Sequence, residues 1–483
     1  MVFCLIFIIT YNVKFLRRTK IIATLGPSSS SEDIIRKLVI AGANVFRLNF
    51  SHGNLENHKQ NAQYIRKVEQ ELNTNIAIMM DLQGPKLRIG VFEKGNVNLN
   101  VGSVFVLDQE QELGTTNRVT FPHPEIYSAI TEGTELLLDD GKIKLLVKER
   151  NGKSIITEVI NGGVLSNRKG VNIPNAILPI KALTAKDLKD IEAANDVDAD
   201  WIAVSFVQTA KDIEYARSIV GNKFGIIAKI EKPSAVQNID SILKVSDAIM
   251  VARGDLGVEL PFESIPSIQK ELIEKAKEHQ RPVVVATQML ESMTNCHVPT
   301  RAEITDVACA VAEGADAVML SAESASGNYP VEAVSTMAKI IQKTEDDELT
   351  FVGRLNQNID AIQQSVYSAV TSAKIRTIAS FTESGRCAIS TSNTRAQANI
   401  IAFTPNVKTM RRLSLVWGVK PILIDEIFSF SQMVQLTQRH LCKNFKMEQG
   451  EKVAIVAGLP FRSSGITNLI HIYEIDTERA IES

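Results

Sequence analysis

The 483-residue chain carries 53 Lys and Arg against 55 Asp and Glu, a net charge of −2, with 22% charged and 45% hydrophobic residues. That balance excludes bulk attraction to nucleic acid or an anionic membrane, so any bound phosphate must be held by local clusters. The length is that of a soluble globular protein of about two to four domains.

Five cysteines, Cys4, Cys296, Cys309, Cys387 and Cys442, show no CxxC spacing and an odd count, which reads as a reduced cytoplasmic protein with buried thiols. Residues 2–9 are almost wholly apolar, but the basic residues Lys14, Arg17, Arg18 and Lys20 follow them, the reverse of a secretory signal. The run is also shorter than the ~20 residues that span a bilayer. Residues 1–16 are therefore read as an extension or a mis-assigned start rather than an anchor, and no other segment reaches transmembrane length.

From residue 19 on, short apolar runs alternate with amphipathic stretches. Strands are predicted at 20–24, 44–50, 76–81, 201–206, 225–230, 248–252, 282–287 and 317–321, with helices at 32–40, 58–72, 210–220, 235–245, 267–279, 302–313 and 330–343. Thr300 and Glu303 form a capping box that marks one helix start. Eight strands alternating with helices make a (β/α)8 TIM barrel the leading architecture, with a doubly wound open sheet as the alternative.

The rhythm breaks after Asp81. Residues 85–182 are rich in short alternating runs and Gly and Asn turns, and read as an inserted all-β lid domain. The helix missing after the third strand is expected at 186–194. The barrel would thus comprise 17–84 and 183–344. Residues 345–483 read as a C-terminal α/β domain, with a helix at 363–374 and strands at 377–381, 400–403, 421–424, 453–456 and 469–475.

The strand period of two puts Lys229 and Glu231 on one face, and the next apolar run ends in Arg253-Gly254-Asp255. Two acids and a lysine at adjacent strand ends suit a metal-bound, phosphate-handling site; the alternative is a salt-bridged cluster. Thr287 and Ser321/Glu323 on the next two strand ends favour the site. Gly254 to Gly257 are expected to precede a helix whose free amides hold a carboxylate or phosphate. In RLNFSHG, Arg47, Asn49 and Ser51 point one way and Leu48 and Phe50 the other; the polar three line a barrel mouth or simply meet solvent. The Gly84-Pro85 pair suits a lid hinge or an ordinary interdomain turn. His58, His123, His279, His297, His440 and His471 lack metal-ligand spacing and read as surface or structural, with His52 set apart by its position. Trp201 and Trp417 read as packing residues.

Taken together, RTKIIATLGPSS (18–29), RLNFSHG (47–53), DLQGPKLR (81–88), AKIEK (228–232), ARGDLGVE (252–259), ATQMLESM (286–293), PTRAE (299–303) and MLSAESASGNYP (319–330) closely resemble the pyruvate kinase family, in the family's order. SFTESGR and VAGLPF…GITN resemble its regulatory domain more loosely. The resemblance implies Mg-dependent phosphoryl transfer from phosphoenolpyruvate to ADP, giving pyruvate and ATP. Glu231 and Asp255 would hold Mg²⁺ (or Mn²⁺), a hard ion that prefers oxygen. Lys229 and Arg47 would neutralise charge on the moving phosphoryl group. Gly254, Asp255 and Thr287 match positions that hold the enolpyruvate carboxylate, and Thr287 lies near where the enolate is protonated. Arg88 and Lys169 match nucleotide-phosphate contacts, with Asn49, Phe50, Ser51 and His52 on the same side.

The family's monovalent-cation site survives here only as Asn49, Ser51 and Asp81, because Leu82 replaces the usual Thr. Lys86 stands where potassium-dependent members carry Glu, so K⁺ is expected to be dispensable. The turn Thr382-Glu383-Ser384-Gly385-Arg386 is expected to bind a phosphorylated effector, although Cys387 replaces a common Thr or Ser. DLQGPK resembles the bacterial branch that answers to AMP or sugar monophosphates. A homotetramer follows by resemblance alone. The rival readings are a carbon–carbon lyase of the phosphoenolpyruvate/pyruvate barrel group, and a non-catalytic binding protein, which would be expected to lack Lys229 or an acid.

Overall fold

The computed structural model describes residues 17–174, 176, 178–347, 360–460 and 467–477; the expected extension at 1–16 and part of the GITN-containing segment lie outside them. Eight strands close into a parallel barrel: β1 (Lys20–Leu25), β2 (Val45–Asn49), β3 (Ala77–Asp81), β4 (Trp201–Val204), β5 (Gly225–Ile230), β6 (Ala248–Ala252), β7 (Val283–Ala286) and β8 (Ala317–Leu320). Closure comes from β8 pairing back onto β1, with Lys20 opposite Ala317 and Ala23 opposite Leu320, which rules out the open sheet.

Period two sorts the strand residues into two cores. Ile22, Val45, Ala77, Met79, Ile227, Met250, Val284 and Met319 fill the barrel, while Ile21, Phe46, Leu48, Ile78, Ile226 and Val318 pack under the surrounding helices. A strand buried on both faces needs apolar residues at every position, which is why these runs are continuous rather than alternating. Ser31 caps Glu32–Ala41, and Thr300 with Glu303 forms both halves of the box that opens Arg301–Glu313. The helix expected at 235–245 is broken at Asn238 into Pro233–Gln237 and Ile239–Val245.

Between β3 and the helix Ala185–Glu192 lies an all-β unit. It has a six-stranded sheet and a two-stranded pair, Asn96–Leu99 with Gly163–Ser166. Phe92, Phe105, Phe121 and Leu145 sit in a core of its own. The C-terminal unit is a five-stranded sheet in the order Val419–Leu423, Asn399–Thr404, Thr377–Phe381, Lys452–Ala457, Leu469–Glu474, parallel except for the last strand.

The C-terminal unit seats on the barrel end from which the strands start. Leu415 joins the barrel's interior cluster, and Lys20 at the start of β1 donates from Nζ to the Val419 carbonyl at 2.8 Å. Lys408 and Arg411 pair with Asp198 and Glu69 of the barrel. With that end covered, the strands' C-terminal ends are left for chemistry. Among the described residues no helix is long and apolar enough to cross a membrane.

Candidate active site

Arg47 and Asp81 sit on the adjacent strands β2 and β3, two positions apart in register. Arg47 Nε donates to Asp81 Oδ2 at 2.6 Å, and Arg47 Nη1 donates to the Thr24 hydroxyl at 3.2 Å. Lys229, near the end of β5, faces Asp81 Oδ1 at 3.2 Å and Glu231 Oε1 at 2.8 Å. Its Nζ also donates to the Ser205 hydroxyl at 2.7 Å, and that hydroxyl donates to the Leu82 carbonyl at 2.8 Å. The second oxygen of Glu231 accepts the Phe206 amide at 2.9 Å. Four strand ends thus converge on one charged knot.

Burial sets the electrostatics. It would push the Asp81 carboxyl up, but Lys229 and Arg47 outweigh it and hold that carboxyl below its ordinary value. Burial would push Lys229 down, yet Asp81 and Glu231 more than offset it, so the ammonium is held well above the usual lysine range. Glu231 goes the other way. Burial pushes it up and the neighbouring Asp255 carboxylate adds to that, with Lys229 only partly opposing.

A carboxylate kept uneasy by a second one is short of positive charge on its open side. Among the described residues no set of three or more His, Cys, Asp or Glu side chains could hold a metal ion. Glu231 and Asp255, two oxygen donors at an open cleft, fit a hard octahedral cation that keeps water or substrate oxygens, as Mg²⁺ does.

The cleft has about 620 Å³ of empty space, part of it continuous with solvent. Arg47, Lys229, Glu231 and Asp255 line it, together with Asn49, Ser51, His52, Lys86 and Arg88. Gln83, Ser205 and Phe206 also line it, and sequence reasoning missed them. The position of Ser205 and Phe206 just past the end of a barrel strand was the available signal. Phe206 has φ +57°, in a region where a non-glycine residue costs about 1–3 kcal/mol, and what it secures is an amide aimed at Glu231.

Gly254 and Thr287 stand behind Asp255 rather than among the lining residues. The helix here is Arg253–Glu259, so Gly254 and Asp255 occupy its first turn instead of preceding it. The Gly254 amide donates to the Thr287 hydroxyl at 2.7 Å, and that hydroxyl donates to the Ala286 carbonyl at 2.6 Å. The Thr287 hydroxyl is thus engaged on both sides by backbone groups. Thr287 has φ +69° and Gln288 φ +55°, a strained corner held by Arg253, whose Nη2 donates to the Thr287 carbonyl at 2.7 Å.

Two of the residues expected to face the nucleotide have their side chains engaged elsewhere in this structure. The Phe50 side chain is buried and stacks on His58 with ring centroids 4.2 Å apart, so it offers no surface to a nucleotide. Lys169 pairs with Asp139 at 2.7 Å inside the β unit and does not line the cleft. Both depart because an adjacent partner satisfies the side chain first.

His58 has a definite structural task, with a ring nitrogen 3.0 Å from the His52 carbonyl. In the C-terminal unit Thr382, Ser384 and Gly385 lie between Thr377–Phe381 and the helix Arg386–Asn393, which Arg386 opens. The Gly385 amide donates to the Thr382 hydroxyl at 2.9 Å. The Cys387 thiol is buried and accepts from the Ser380 hydroxyl at 3.3 Å, so it faces the core and not that turn.

Comparison with known proteins agrees with this geometry. The family description "Pyruvate kinase, barrel domain" matches residues 16–334, and "Pyruvate kinase, alpha/beta domain" matches residues 360–473. A pyruvate kinase of Methylorubrum extorquens is 45% identical over 471 residues, covering 96% of this chain and 98% of its own. One from Agrobacterium vitis is 45% identical over 469 residues, covering 95% and 97%. The crystal structure of a pyruvate kinase from Cryptosporidium parvum has a TM-score of 0.88 at 32% identity, covering 95% of this chain and 96% of that one.

Proposed function

The chain belongs to the pyruvate kinase family, and we propose that its cleft transfers the phosphoryl group of phosphoenolpyruvate to ADP, giving pyruvate and ATP. The observation that carries this reading is Lys229 held charged between Asp81 and Glu231, beside a third carboxylate, Asp255, on the same open cleft as Glu231. Phosphoryl transfer needs positioning and charge stabilisation more than covalent chemistry, and a fixed ammonium and guanidinium supply that. Bound at Glu231 and Asp255, Mg²⁺ or Mn²⁺ supplies the positive charge that lets two polyanionic substrates share an acidic site.

The remaining roles belong to the chain's own groups. Lys229 and Arg47 orient the phosphoryl oxygens and stabilise the charge they carry in transit. Gly254, Asp255 and Thr287 shape the seat of the enolpyruvate carboxylate. Asn49, Ser51, His52 and Arg88 face the nucleotide phosphates. The unit 85–182 acts as a lid over the cleft formed by 17–84 and 183–344, and 345–483 carries regulation in a cytosolic homotetramer. The lyase reading falls with the family assignment.

The test is pyruvate formation from phosphoenolpyruvate with ADP, with and without divalent cation. Turnover is expected only with Mg²⁺ or Mn²⁺, and Glu231→Gln or Asp255→Asn is expected to lower kcat by about 10²–10³-fold. Near-normal turnover in both variants would overturn the assignment of these carboxylates.

A further inference from the structure

We propose that Asp187 is a positioning residue for the nucleotide half of the reaction, clasping together the two crossings that join the inserted β unit to the barrel. The chain leaves the barrel through Leu82 to Gly84 and returns at Leu183 and Thr184. Asp187 is fully buried between those crossings. Its Oδ2 accepts the Thr184 amide at 2.8 Å and the Thr184 hydroxyl at 2.6 Å, an ordinary capping box. Its Oδ1 accepts the Gly84 amide at 3.2 Å, from 103 residues away in the chain, a contact that capping does not require.

What the clasp holds is next to the chemistry. Gly84 has φ +66°, and a Cβ there would lie 2.7 Å from Phe206 Cδ2 and 2.9 Å from Ser205 Cβ. The outgoing crossing therefore rests on the two residues that hold Glu231 and Lys229. The neighbouring Lys186 Nζ donates to the Phe50 carbonyl at 2.7 Å, in the turn that presents Asn49 to His52. One helical turn thus ties the outgoing crossing to the turn that carries Asn49 to His52. Lys86 and Arg88, which line the cleft and of which Arg88 is read as facing the nucleotide phosphates, follow Gly84 by two and four residues. Freeing Gly84 displaces these two groups, whereas Gly254, Asp255 and Thr287 are fixed on other strand ends.

This inference rests on the phosphoryl-transfer reading, and the test separates the two. Full-length Asp187→Ala is expected to raise KM for ADP about tenfold while KM for phosphoenolpyruvate stays within about twofold. Asp187→Asn keeps one acceptor oxygen and is expected to fall between; it carries the test should the Ala variant not fold. Thr184→Val removes only the cap hydroxyl and is expected to lower Tm without moving KM for ADP. Amide exchange, read without substrate and therefore independent of any activity, is expected to quicken in peptides covering 82–88 in Asp187→Ala and to stay unchanged in 377–381. An unchanged KM for ADP, or both KM values rising together with a general rise in exchange, would reduce Asp187 to a helix cap.

Discussion

Lys86 is the side chain on which a requirement for K⁺ is expected to turn. Asp81 is already engaged by Arg47 and Lys229, Asn49 Oδ1 accepts the Ser51 amide at 3.1 Å, and Leu82 is buried without a side-chain oxygen. Two of the remnant trio, Asn49 and Asp81, are thus engaged, and the Lys86 ammonium on the same cleft would oppose a second cation. Activity is expected to be similar in K⁺ buffer and in tetramethylammonium buffer of equal ionic strength. Lys86→Glu with Leu82→Thr is expected to install a K⁺ requirement. A strong requirement in the unmodified protein would show that Lys86 does not supply the charge.

At this scale the sequence was informative where period two decides a direction. Lys229, Arg47 and Asn49 line the cleft as their strand positions require, and Glu231 and Ser51, just past their strand ends, continue the same alternation. It was uninformative where a neighbour in space decides. Nothing local shows that Phe50 turns to His58, that Lys169 is taken by Asp139, or that Phe206 adopts a positive φ to serve Glu231.

Elements were legible when local propensity and tertiary demand agreed. The strand Thr377–Phe381 lies where its β-branched and aromatic run puts it, and Thr300-Arg301-Ala302-Glu303 opens a helix as a capping box should. The helix Arg253–Glu259 was obscured by Gly254 and Gly257, poor helix formers. It starts where it does because the Thr287 hydroxyl takes the Gly254 amide, and Arg253 is braced by Asp306 at 2.6 Å.

The turn before Arg386–Asn393 is the element where regulation is testable. The Glu383 carbonyl accepts from the Thr409 hydroxyl at 2.8 Å, and Thr409 shares the helix Val407–Arg412 with Lys408 and Arg411, which pair with the barrel. A phosphate held by Thr382, Ser384 and Arg386 would therefore be felt at the barrel. AMP or a sugar monophosphate is expected to lower the phosphoenolpyruvate concentration giving half-maximal rate, and Arg386→Ala to abolish that response without altering the unactivated rate. Kinetics that ignore these ligands in the unmodified protein would remove the effector role.

For the whole molecule, the junction between barrel and C-terminal sheet should respond to pH. Burial lowers Lys20 to about 7, with Arg17 adding to the effect and Glu345 opposing it. A lysine whose proton is held less tightly in the folded state than in the unfolded one costs folding free energy when charged. The cost is about 1.4 kcal/mol for each tenfold loss of proton affinity. It is fully present below about 7 and is relieved as pH rises toward the ordinary lysine value of 10.5. Lys20→Met loses the 2.8 Å bond to Val419 but escapes the charge penalty. Its Tm relative to the unmodified protein is expected to be most favourable near pH 6 and to decline by pH 9. A Tm difference independent of pH would mean that Lys20 stays charged throughout.

The pairing of Lys20 with Ala317 also has a consequence for the order of synthesis. A ribosome makes β1 among the first strands and β8 last of the eight, so β1 has one unpaired edge until residue 320 has emerged. Thr24 waits equally long for the hydroxyl of Ser324, 2.9 Å from its amide in the finished fold, and Thr19 waits for Glu345. The first barrel strands thus spend most of translation as an open ribbon. The same joint that makes the finished barrel free of edges leaves the nascent chain exposed to aggregation until nearly all of the barrel has been made.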